Sequence, residues 1–187
     1  SLGAYDSDII AGLERVYELR DTYNFASINM SLGGSNYSAY CDSVSPSMKA
    51  VIDNLRSAGI ATAIASGNDY LTGAISFPSC ISSAVSVGST TKSDSVSFFT
   101  NEANFMSLWA PGSSINSSLL GGTFGNLSGT SMATPHVAGA FALLKQAKPT
   151  ASVDEMLDAF QRTGKIIGHA YWTTSLIRAN RAISHLF

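Results

Sequence analysis

The residues with the clearest chemical potential lie in GTSMATPH, residues 129–136. Thr130 or Ser131 is placed to cap a helix, with Pro135 in its first turn, where a missing N–H costs nothing. A hydroxyl there faces open backbone N–H groups and the positive end of the helix dipole. That setting favours the negative charge that develops on an acyl-transfer oxyanion, so Ser131 is a candidate nucleophile. Ser and Thr are also ordinary helix caps, and the stretch standing alone reads as no more than that.

Two further stretches change its weight. IASGN (64–68) places Asn68 at the C-terminal end of an expected strand, the edge of a parallel α/β sheet where ligands bind. Its side chain can donate an N–H to an oxyanion, although an Asn after Gly is equally a turn former. INMSLGG (28–34) ends a second strand at the same edge. It leaves the extended backbone of Ser31, Leu32 and Gly33 free to pair with a peptide strand.

A serine nucleophile needs a base. The histidines are His136, His169 and His185. His136 follows Ser131 by five residues on one helix, about 140° round the axis, and reads as a packed structural histidine. His169 and His185 read as surface or structural residues. The order Ser131, Asp158, His169 fits a rival hydrolase class, but that class needs a G-x-S-x-G elbow, and Ala133 stands at its last position.

The elements that must position these residues alternate. Helices are expected over 7–22, 45–59, 131–148, 152–164 and somewhere within 173–186; strands over 25–34, 60–68, 83–89 and 104–112. Ser45 caps the second helix, Pro46 opens it and Gly59 stops it, while Ser152 and Glu155 form a capping box. This alternation calls for a parallel sheet covered on both faces. The 187 residues fit one domain or part of one. With 45% hydrophobic and 13% charged residues, net charge −2 and no basic block, nothing points to nucleic acid. No apolar run approaches the roughly 20 residues of a membrane span. Cys41 and Cys80 are either a disulfide closing a loop of roughly 40 residues, worth about 3–4 kcal/mol, or two free thiols.

Taken together, GTSMATPHVAG, IASGN, INMSLGG, VSVGSTT, WAPG and SLIRANRAI closely resemble the subtilisin-like serine proteases, in order and across nearly the whole chain. The resemblance implies a partial subtilisin-like α/β fold, a mainly parallel sheet flanked by helices, with residues 1–187 as the C-terminal portion of one peptidase domain and the N-terminal strands missing. It implies a serine endopeptidase acting on polypeptides. Ser131 would be the nucleophile, and its N–H with the Asn68 side chain would form the oxyanion hole. Ser31, Leu32 and Gly33 would pair with substrate, and Ala65, Ser66 and Gly67 would line the specificity pocket. Asp69 either favours a basic substrate side chain there or is a solvated loop carboxylate.

The family's triad runs Asp, His, Ser along the chain, and neither its D-[ST]-G-like nor its H-G-T-like setting occurs here. This chain alone is therefore expected to be nearly inactive, or else a non-catalytic peptide-binding or self-associating fragment. The strand within 25–32 would be an exposed edge that recruits a second copy or a partner chain. Ser107 stands where an acidic cation ligand is typical, so no cofactor is expected in this portion, while calcium could bind a full-length protein. Secretion follows from the resemblance alone, and Asn36-Tyr37-Ser38 is a glycosylation sequon without a known host.

Overall fold

The computed structural model describes residues 4–169 and 172–187, with the side chains of His169 and Trp172 left out. Along the chain come α1 (Asp6–Glu18), β1 (Ser27–Met30), β2 (Asn36–Tyr37), α2 (Pro46–Ser57), β3 (Ala61–Ala65), β4 (Ile75–Ser76) and β5 (Val85–Thr90). There follow β6 (Leu108–Pro111), β7 (Ile115–Ser118), β8 (Phe124–Leu127), α3 (Thr130–Ala147), α4 (Val153–Thr163), β9 (Lys165–His169), β10 (Trp172–Leu176) and α5 (Ala179–His185).

Six strands form one sheet in the order β1-β3-β5-β6-β10-β9. All neighbours run parallel except β9, which is antiparallel to β10. Every residue of β3 and β5 is buried, as expected of central parallel strands covered on both faces. On one face Ala61, Ala63, Val85, Val87 and Leu108 pack with α3, α4 and α5 through Ala133, Val137, Phe141, Met156, Phe160 and Ala182. On the other, α1 and α2 supply Leu13, Met48, Val51, Ile52 and Leu55 against Met30, Ile60 and Ile64. This is the layered α/β architecture that the alternation of elements predicts.

The local signals hold at several ends. Ser45 Oγ accepts from the Met48 N–H at 3.4 Å, with Pro46 in the first turn of α2. Gly59, at φ 79°, takes the left-handed backbone that stops the helix. The capping box of α4 is complete: the Glu155 N–H donates to Ser152 Oγ at 3.1 Å and the Ser152 N–H to Glu155 Oε2 at 2.8 Å.

One expectation needs correction. The cap of α3 is Gly129, with no side-chain capping bond, so Thr130 and Ser131 already lie inside the helix. Pro135 consequently sits beyond the first turn, where its missing N–H leaves the Ser131 carbonyl without the usual helical donor. The last helix falls within 173–186 as expected, at Ala179–His185, and before it residues 165–169 and 172–176 pair as antiparallel strands that the alternation of elements does not include.

Cys41 and Cys80 are joined in a disulfide with their Cα atoms 5.4 Å apart, which settles the two readings left open for them. No described helix is long and apolar enough to cross a membrane.

Candidate active site

The parallel register of β1 and β3 pairs Met30 with Ile64, so the segments that follow them leave the sheet side by side. One is Ser31–Gly34 and the other Ser66–Asn68. The N-terminus of α3 arrives at the same place because its inner face is small. Ala133, Ala138 and Ala140 share one buried cluster with Ala61 and Ala63, so small side chains dominate where the helix meets the sheet.

Thr130 fastens these pieces together. Its N–H donates to Asn68 Oδ1 at 2.9 Å and its hydroxyl to the same oxygen at 3.0 Å. The hydroxyl also accepts from the Gly67 N–H at 3.2 Å. Of the two ends of the Asn68 amide only the oxygen can accept the Thr130 N–H, so this contact decides the amide orientation and leaves Nδ2 as the outward end. Neither Asn68 Nδ2 nor the Ser131 N–H has a hydrogen-bond partner among the described residues. A Cβ built on Gly129 would stand 3.6 Å from that Nδ2 and 3.7 Å from that backbone N, so the two donors flank one small space.

Ser131 itself is half-buried. Its hydroxyl leans on the Ser31 carbonyl at 3.4 Å. In return Ser31 Oγ donates to the Ser131 carbonyl at 2.8 Å, taking the acceptor that Pro135 cannot serve. Beyond Ser31, the backbone N–H and C=O of Leu32 and Gly33 make no hydrogen bond among the described residues. Gly34 is anchored through its N–H to the Phe77 carbonyl at 2.8 Å.

A cleft of about 240 Å³ opens between these strands, lined by Leu32, Gly33, Ala65, Gly67, Asn68, Asp69, Ser76 and Ser131 among others. Ser31, expected to pair with substrate, lies outside that lining and is bonded to the Ser131 carbonyl. Ser66, expected in the lining, is fully buried and turned away, its hydroxyl donating to the Asn101 carbonyl at 2.8 Å. Behind the cleft lies a polar cluster absent from the sequence expectations: Asn36, Ser76 and Asn101. The sequence marks Thr130 only as a cap. The GTS triplet marks its position, but Asn36 reads in the sequence only as part of a sequon, Asn101 carries no local signal, and the two meet only through the fold.

No imidazole or carboxylate hydrogen-bonds Ser131 among the described residues. His136, expected to be packed, is exposed, because α3 turns that face outward. Its Nδ1 lies 2.9 Å from the Met132 carbonyl, so that nitrogen carries the proton. His185 is on the surface; the side chain of His169 lies outside the described residues. Asp158 is engaged by Arg162 Nε at 2.6 and 2.8 Å on its own helix, away from any serine chemistry. Ser107 bonds with Ser86, its Oγ 3.2 Å from the other hydroxyl. Among the described residues no three of His, Cys, Asp or Glu gather as a metal site.

The sequence model of the Subtilase family matches residues 1–182. The chain is 38% identical over 152 residues to subtilisin amylosacchariticus of Bacillus subtilis subsp. amylosacchariticus, covering 80% of this chain and 38% of that one. It is 38% identical over 156 residues to the extracellular serine proteinase of Thermus sp. (strain Rt41A), covering 82% and 36%. Among solved structures, a cold adapted subtilisin-like serine proteinase superposes with a TM-score of 0.81 at 30% identity, covering 95% of this chain and 62% of that one. The chain thus spans about two fifths of the length of these two relatives.

Proposed function

The chain belongs to the subtilase family of serine peptidases, and on that premise we propose that it is the nucleophile-bearing, C-terminal part of a secreted serine endopeptidase domain, nearly inactive alone. Ser131 Oγ attacks the scissile carbonyl carbon and forms the acyl-enzyme while the amine departs; water then releases the acyl group. The Ser131 N–H and Asn68 Nδ2 receive the negative charge on the carbonyl oxygen. The observation that carries this reading is the pair of unengaged donors flanking one space beside the serine, one held in direction by Thr130. Leu32 and Gly33 offer unpaired backbone to an extended substrate, and Ala65 and Gly67 wall the pocket for its side chain.

Among the described residues the proton on Ser131 has no acceptor stronger than the Ser31 carbonyl at 3.4 Å. Without a base the hydroxyl is a poor nucleophile at neutral pH, so catalysis awaits an imidazole from outside the described residues. The route for it is β1. This strand is the end member of the sheet, and its outer backbone groups offer pairing to a second polypeptide, whether a partner chain or another copy. A non-catalytic peptide binder is the second reading, favoured by the same free backbone at Leu32 and Gly33.

Labelling of the purified chain with a fluorophosphonate, beside Ser131→Ala, tests the proposal. The expected result is no labelling of either protein, with labelling of the wild type alone once a histidine-bearing partner polypeptide is added. Ser131-dependent labelling of the chain by itself would overturn the claim that its base lies elsewhere.

A further inference from the structure

Four Asn-x-Ser triplets stand in the chain, at Asn29, Asn36, Asn116 and Asn126, each the acceptor pattern for an N-linked glycan. The fold separates them by what each amide is already doing. Asn29 Nδ2 donates to Ser31 Oγ at 3.1 Å, and the Ser31 hydroxyl of the same triplet is held on the Ser131 carbonyl at 2.8 Å. Asn36 Nδ2 donates to Asp69 Oδ2 at 3.2 Å, while its Oδ1 accepts from Ser76 Oγ at 2.8 Å and from Asn101 Nδ2 at 3.0 Å. A sugar on Asn36 would break up that cluster. The side-chain amides of Asn116 and Asn126 have no hydrogen-bond partner among the described residues, and both residues are exposed.

Asn116 and Asn126 face each other in the β7–β8 hairpin, which stands outside the main sheet. Opposed residues of an antiparallel pair have Cβ atoms about 4.5–5.5 Å apart, so the two asparagines leave room for one glycan. Two features choose between them. Asn116 lines, with Ser131, Met132 and His136, a cavity of about 370 Å³, so a sugar there would crowd the nucleophile; Asn126 is not in that lining. Phe124 lies two residues before Asn126, hence on the same face of the strand, opposite Ser118 and with 74% of its surface exposed. Its ring has no aromatic partner among the described residues, and so open an apolar side chain gains by being covered. The equivalent position before Asn116 is Ser114, which offers no such face.

We propose that Asn126 is a glycosylation site whose first sugar lies on the exposed ring of Phe124. Asn126 Nδ2 forms a bond to the anomeric carbon of an oligosaccharide carried on a lipid diphosphate. The bond from that carbon to the diphosphate oxygen breaks, the lipid diphosphate leaves with the electron pair, and the amide proton passes to a base of the transferase. The Ser128 hydroxyl is the recognition group two residues on. Among the described residues it only accepts, from the Ser114 N–H at 2.9 Å, which leaves its hydrogen for the transferase. Sugar C–H bonds against the ring remove apolar surface from water, on a hairpin outside the lining of the peptide cleft. The inference rests on the secreted character in the reading above and is independent of the chemistry at Ser131.

The test expresses the full chain behind an export signal in a yeast secretion host, with Asn29, Asn36, Asn116 and Asn126 each replaced by Gln in turn. Glycans are mapped by peptide mass after enzymatic deglycosylation in heavy-oxygen water, on chain retained in the cells as well as chain in the medium. The expected outcome is a glycan on Asn126, lost in Asn126→Gln and in Ser128→Ala and kept in the other three Gln variants. Enzymatic removal of the glycan should lower the melting temperature of the wild type and leave that of Phe124→Ser unchanged. Absence of a glycan from Asn126, or a main glycan on Asn29, Asn36 or Asn116, would overturn the proposal. An equal fall in melting temperature in Phe124→Ser would overturn the placement of the sugar on the ring. Fluorophosphonate labelling of Ser131, which tests the catalytic reading, can fail without altering any of these outcomes.

Discussion

Ser31 and Ser131 hold one another across 100 residues of chain, hydroxyl to carbonyl in both directions, at 2.8 and 3.4 Å. The shorter bond exists because Pro135 removes the helical donor that would otherwise serve the Ser131 carbonyl. Ser31→Ala takes that bond away at a site water can reach. The expected loss is about 0.5–1.5 kcal/mol, seen as a lower urea midpoint with unchanged slope. Ser31→Thr, which keeps the hydroxyl, should recover most of it.

Thr130 is fully buried and makes three hydrogen bonds, to Asn68 and Gly67. Thr130→Val preserves the shape and leaves the Gly67 N–H without an acceptor, at a cost of about 1–3 kcal/mol. It also halves the grip on the Asn68 oxygen. The side-chain amide resonances of Asn68 should broaden or shift in this variant, a change that overpacking elsewhere in the core would not produce.

The disulfide ties together the two segments that carry Asn36 and Ser76, which also pair directly as β2 and β4. Replacing Cys41 and Cys80 with Ala should lower stability by about 3–4 kcal/mol on the loop-entropy account. Chemical denaturation reads that loss. Peptide binding should weaken in the same variant, because the polar end of the cleft loses its covalent tie.

Glu155 makes a pH-dependent contribution. The Ser152 N–H, then the Ser152 hydroxyl and the Lys148 charge, hold its carboxyl below the usual range. A folded-state value below the unfolded one stabilises the protein fully above the unfolded pKa. That contribution is lost as pH falls through the folded value. Glu155→Ala should therefore lower the melting temperature at neutral pH. The gap to wild type should close as pH drops below the ordinary glutamate range, about 4.3.

Much of this arrangement was legible in the sequence where the signal was local. Ser45, Pro46, Gly59, Ser152 and Glu155 act within one helical turn of themselves, so their roles survive folding unchanged. The apolar runs of β3 and β5 announced central strands because both their faces are covered. The hairpin of β9 and β10 did not announce itself: KIIGH and WTTSL are short, and their pairing depends on β6 lying alongside. The cap of α3 was misplaced by one or two residues, since the hydroxyls that read as caps are spent on Asn68, Gly67 and Ser31. The cluster of Asn36, Ser76 and Asn101 joins residues up to 65 positions apart and has no periodicity to betray it.

The two halves of the nucleophile's surroundings belong to different depths of the molecule. Thr130 and the body of α3 sit on the central strands among fully buried side chains such as Val137, Phe141 and Leu144. Ser31 follows the outermost strand. In amide exchange the first group should open only with global unfolding, while β1 and the segment after it should open in smaller, cheaper fluctuations. The surface that would receive a peptide can thus loosen and re-form many times within the lifetime of the rigid corner that holds Asn68.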